Sequence, residues 1–169
     1  MKKNVLYSSS LHIFMLLLTP SKWLFFLPVN LIITGFALYF ACKLSGYSNL
    51  FARLCKKELF FAFAAGIAGD LAGAGVLLGL CSIPAIDGGV WASTMHAVQT
   101  NPFVSTNSLI VIFLAIIIAA AVKYLLDLWI SLRKTDMPLK DKRMLCMCLA
   151  MFSAPYSFLL PAALLRFLI

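Results

Sequence analysis

The sequence predicts an all-α polytopic membrane bundle: four transmembrane helices preceded by an N-terminal interfacial or re-entrant helix. Composition predicts it first. Of 169 residues, 63% are hydrophobic and 12% charged, with mean hydropathy +0.99. A soluble domain carries about 25% charged residues, so the apolar excess here needs lipid as its solvent. Second, apolar runs matched to a hydrocarbon core about 30 Å thick recur along the chain. Third, the charges gather in short segments between those runs. One integral membrane domain over 1–169 uses the length, with spans over about 23–42, 59–81, 108–130 and 144–167.

The N-terminal segment opens with Lys2 and Lys3 and ends in Leu16, Leu17 and Leu18. That imitates a secretory signal, but Thr19-Pro20-Ser21 is no small-residue cleavage site. Ser8, Ser9, Ser10 and His12 interrupt the apolar stretch. Residues 4–19 therefore read as an interfacial or re-entrant helix, and a five-span bundle is the alternative. The first span follows, with Trp23 as interfacial anchor, Pro28 in its first turns and Lys43 closing the far end.

The second span is rich in small residues. Gly66, Gly69, Gly73, Gly75 and Gly79 line it, and Gly69/Gly73 and Gly75/Gly79 are G-x-x-x-G pairs. Small residues four apart let another backbone approach closely, in the same chain or in another. Residues 82–107 read as a polar loop around Pro84, Asp87-Gly88-Gly89 and Asn101-Pro102. Trp91, Met95 and Val98 fall at i, i+4 and i+7, which predicts a short surface helix. The third span has an uninterrupted apolar run from Leu109 to Val122. Lys123 and Asp127 follow it, four apart and able to pair. The fourth span carries Pro155 and Pro161, which bend a helix or leave carbonyls free for other donors.

The net charge is +8. Its placement flanking apolar runs fits orientation and attraction to anionic lipids, and argues against nucleic acid as a partner. Lys43, Arg53, Lys56 and Lys57 lie between spans one and two. Lys123, Arg133, Lys134, Lys140, Lys142 and Arg143 lie between spans three and four or at their ends. Segment 82–107 has no lysine or arginine. The positive-inside rule then puts loops 43–57 and 131–143 in the cytoplasm and loop 82–107 outside a cell (inner) membrane.

Asp70 sits at the middle of the second span. An acid at the bilayer centre costs about 2.5–3.5 kcal/mol on insertion scales, so its presence points to function or to a hydrogen-bond hub. Counting depth at ~1.5 Å per residue brings Asn30, Thr34, Ser153, Tyr156 and Ser157 near it as one intramembrane polar cluster. The same count sets Asp127 apart, toward the cytoplasmic end. An aspartic-protease pair is therefore not predicted.

Other chemistry is weakly marked. Asp87 and His96 are two metal-type side chains without a third, and neither a metal nor a cofactor is implied. Cys42, Cys55, Cys81, Cys146 and Cys148 form no regular framework. Cys146 and Cys148 stand two apart on a helix and point in different directions. No G-x-S-x-G, H-E-x-x-H or phosphate-binding glycine loop occurs, and no residue is assigned as catalytic. The expectation is a non-catalytic membrane component, such as an accessory subunit, assembly protein or protective protein. Its partners would be the bilayer, anionic lipids at the cytoplasmic face, and a second copy or a partner membrane subunit. A small transporter or proton-coupled permease subunit using Asp70 is the alternative, and an intramembrane enzyme the third reading.

Overall fold

The computed structural model describes residues 20–83, 89–133, 135 and 137–161. These residues are helical, with no strand among them. Among them, five α-helices run in order: α1 (Pro20–Leu44), α2 (Phe51–Ser82), α3 (Val90–Thr100), α4 (Thr106–Leu126) and α5 (Leu139–Phe152). Short 3-10 turns occupy Ser48–Leu50, Pro102–Val104 and Tyr156–Leu159, and a π-helical turn over Asp127–Ser131 extends α4. Among the described residues, three segments are long and apolar enough to cross a membrane: Leu27–Leu44, Phe51–Ser82 and Thr106–Ser131. Residues 4–19 and Asp87-Gly88 lie outside the described residues.

The segment expected as a fourth span is built differently. The sequence predicts one helix over about 144–167, but α5 runs from Leu139 and ends at Phe152. Its 14 residues rise only about 21 Å, short of a hydrocarbon core. Pro155 is the cause. It has no N–H to continue the ladder, and it drives the residue before it out of helical backbone. Pro28 also differs from expectation. Because α1 starts at Pro20, Pro28 lies inside the helix rather than in its first turn.

The described residues form two compact units. One holds Phe25–Ala72 and Ile117–Pro155. Its core packs Leu38, Ala41 and Cys42 of α1, Leu54 and Ala62 of α2, Leu132, and Leu145, Cys146 and Leu149 of α5. Large apolar side chains such as Ile32, Phe36, Phe40, Phe60 and Ile117 are exposed. A surface of this kind is solvated by acyl chains, and helices then associate through close packing and polar contacts rather than through expulsion of water.

The turn after α1 fixes one end of this unit. Gly46 has φ +77, a left-handed conformation that favours glycine. Its N–H bonds the Lys43 carbonyl, and the Tyr47 N–H bonds the Cys42 carbonyl at 2.8 Å. These are the two bonds of a Schellman motif. The motif delivers the Tyr47 hydroxyl to Asp141 Oδ2 at 2.6 Å, joining the α1–α2 turn to the start of α5. Accepting that proton, Asp141 raises the Tyr47 pKa above its ordinary value.

The other unit holds Gly73–Ile116 and, among the described residues, 20–24 and 156–161. The short helix predicted from Trp91, Met95 and Val98 is α3. It buries Thr94, Met95, Ala97 and Val98 on one face. Asn101 Oδ1 accepts the Phe103 N–H at 3.1 Å, opening the turn that leads into α4. Ser108, fully buried, donates to the Pro102 and Ser105 carbonyls at 2.7 and 2.6 Å.

Candidate functional site: a buried lysine between two aspartates

The polar centre of the first unit is Lys123 rather than Asp70 alone. Lys123 is 1% exposed and Asp127 is 0% exposed. The sequence counts Lys123 among the basic groups at the cytoplasmic end; the structure removes it from that count. Its stem lies against α2 at two glycines. A Cβ on Gly66 would stand 3.0 Å from Lys123 Nζ. A Cβ on Gly69 would stand 2.8 Å from the Ala119 carbonyl oxygen and 3.2 Å from Lys123 Cβ. Gly69 lets the backbones of α2 and α4 touch, and Gly66 leaves the space that the ammonium fills.

The ammonium ends on the carbonyl at which α5 stops. Ser153 is the residue at which α5 stops, with φ −110 and ψ 19. The last carbonyls of a helix have no partner within it and carry the negative end of its dipole. Lys123 Nζ donates to the Ser153 carbonyl at 2.9 Å. Ser153 itself is buried, and its hydroxyl donates back to the Leu149 carbonyl. A cation from α4 thus caps the C-terminus of α5.

Two carboxyl groups lie within electrostatic range of that cation. Lys123 interacts electrostatically with Asp70 and with Asp127. Asn30 Nδ2 donates to Asp70 Oδ2 at 3.4 Å, and Thr34, 0% exposed, donates to the Asn30 carbonyl at 2.8 Å. Ser131 Oγ donates to Asp127 Oδ1 at 2.9 Å. The remaining oxygens, Asp70 Oδ1 and Asp127 Oδ2, are buried without a hydrogen-bond partner.

The residues expected around Asp70 divide. Asn30 reaches it, and Ser153 contributes its carbonyl to the same ammonium. Tyr156 and Ser157 stand exposed on the Tyr156–Leu159 turn and belong to the other unit. Asp127, which depth counting separates from Asp70, shares Lys123 with it. Lys123, Asp127 and Ser131 are the members the depth argument misses. A signal for them exists: Ala119, Lys123, Asp127 and Ser131 recur every four residues, one face of a helix. Gly66 and Gly69 pack as expected of small residues, though three apart rather than as a G-x-x-x-G pair. A Cβ added at Gly75 or Gly79 would meet nothing from another part of the fold within 4 Å. Among the described residues, no three His, Cys, Asp or Glu side chains gather as a metal site.

The glycines differ enough to test. Gly69→Ala is expected to lower stability by about 1–3 kcal/mol, the usual penalty of overpacking, because a backbone oxygen stands in the way. Gly66→Ala should cost less, since the end of a flexible side chain can shift. Gly75→Ala and Gly79→Ala should cost nothing. Thermal melting of the four variants in detergent checks the order; equal effects at all four positions would contradict it.

Comparisons with known protein families, with curated proteins and with solved structures find no match to this chain.

Proposed function

We propose that this chain is a small multi-pass protein of a cell membrane that serves as a non-catalytic component: an accessory subunit, an assembly protein or a protective protein. The observation that carries this reading is the direction of its polarity. Lys123 and Asp127, charged groups far along a spanning segment, turn inward, where Lys123 joins α2, α4 and the end of α5. Large apolar side chains turn outward along the same helices. Intramembrane charge spent on helix-to-helix contact suits a scaffold that presents its outer faces to lipid and to other membrane helices. The open Gly75 and Gly79 positions suit the same role.

The basic end supports an inner-membrane orientation. With Lys123 removed from the count, Arg53, Lys56, Lys57, Arg133, Lys140 and Arg143 are still exposed. They occupy the start of α2, the end of α4 and the start of α5, the segments that Tyr47 and Asp141 tie together. Loops 43–57 and 131–143 would then lie on the cytoplasmic side against anionic headgroups, with 82–107 outside. Labelling of intact cells with an impermeant thiol reagent tests this. Ser93→Cys should gain label over the native protein, and Ser48→Cys should gain it only after lysis. The reverse pattern would invert the orientation.

A second reading, transport coupled to Asp70, draws on the two bare carboxyl oxygens. Purified protein in sealed vesicles separates the two. The component reading expects no proton or alkali-cation flux above that of empty vesicles. Flux that vanishes in Asp70→Asn would replace it with transport.

A further inference from the structure

We propose that Asp70, Lys123 and Asp127 form a binding site for a single proton, held by either aspartate while Lys123 serves the other. The proposal rests on the reading that this part of the chain lies within the bilayer.

Charge counting comes first. With all three groups ionised, the cluster holds one positive and two negative charges. An uncompensated charge in a low-dielectric interior is costly, and one added proton brings the cluster to neutrality. A metal cation is a poorer candidate, because it would have to sit beside the Lys123 ammonium.

The hydrogen bonds suit a proton that comes and goes. Lys123 Nζ has three donor positions, and Ser153 takes one. Those left, spent on neither bare oxygen here, are available to one carboxylate while the other carboxyl keeps the proton. The polar partners tolerate both states. Asn30 donates through its amide nitrogen when Asp70 is ionised and can accept through its amide oxygen when Asp70 is protonated. Ser131 has a hydroxyl that likewise donates to, or accepts from, Asp127. Fixed donors such as arginine would favour only the ionised form.

The backbone adds an independent mark. Asp127 opens a π-helical turn through Ser131. Such turns are rare and concentrate at functional sites. Charged and titratable groups among the described residues interact with one another in the cluster. They are Asp70 from α2, Lys123 and Asp127 from α4 and its extension, and Cys146 from α5, which interacts with Asp127. From α1 comes Asn30, which is uncharged.

Isotope-edited infrared spectroscopy of the full chain in nanodiscs of neutral lipid reads the proton directly. With aspartate carboxyl carbons labelled, the wild type at neutral pH should show one protonated aspartate, lost as pH is raised. Asp70→Asn should abolish that band, because Lys123 and Asp127 then balance. Lys123→Met should double it. Absence of any protonated aspartate in the folded wild type overturns the proposal, as does a band unchanged in both Asp70→Asn and Asp127→Asn. The wild-type spectrum decides alone if the variants fail to fold. Flotation and circular dichroism on the same sample keep the two readings apart. A folded, membrane-integrated chain without the band sinks only the proton site, whereas a chain that does not enter the membrane sinks the reading beneath it.

Discussion

A single ammonium group organises the described core. Lys123 is taken out of solvent and held between two helices and the end of a third. A buried cation is destabilising unless its surroundings answer it. Here the answers come from different chain segments: a carbonyl from the end of α5, a carboxyl from α2, and a carboxyl one turn along α4. Each of these segments is constrained by the need to bring its group toward the same cation. In lipid, where apolar burial supplies little preference for one packing over another, such polar demands and close backbone contacts select the arrangement.

The surrounding features make room for that contact. Gly69 allows α2 and α4 to approach until a Cβ would strike a backbone oxygen, and Gly66 vacates the space occupied by the lysine head. Pro155 ends α5 at the point where its last carbonyls face the cation. At the other end of the unit, Gly46 and the Tyr47–Asp141 bond fix the turn from α1 against the start of α5. Residues that would be faults in a soluble helix, namely glycines, a proline and a buried lysine, form one consistent set here.

Much of this was legible in the sequence, for identifiable reasons. The long apolar helices, the helix over Trp91–Val98 and the meeting of Asn30 with Asp70 all follow from periodicity and from the rarity of polar residues in apolar runs. At the end of the last helix the Ser153 carbonyl takes its donor from Lys123. Apolar composition continues past Phe152 and predicts one longer helix, whereas among the described residues the helical ladder stops there. Lys123 was hidden by its place at the end of an apolar run, where lysine ordinarily reaches toward headgroups. Only the two glycines opposite it show that it turns inward, and one sequence read alone does not align helices that precisely placed glycines bring together.

The central claim is that the Lys123 charge locks the helices and that its two carboxyl partners are what make its loss harmful. The direct measurement is equilibrium unfolding of Lys123→Met against the triple variant Lys123→Met, Asp70→Asn, Asp127→Asn in the same detergent. Removing one member of a buried charged set costs about 3–5 kcal/mol, whereas replacing the whole set by neutral residues is close to neutral. The single variant should therefore be strongly destabilised and the triple variant largely restored. A single variant as stable as the wild type, or a triple variant no better than the single, would contradict the account.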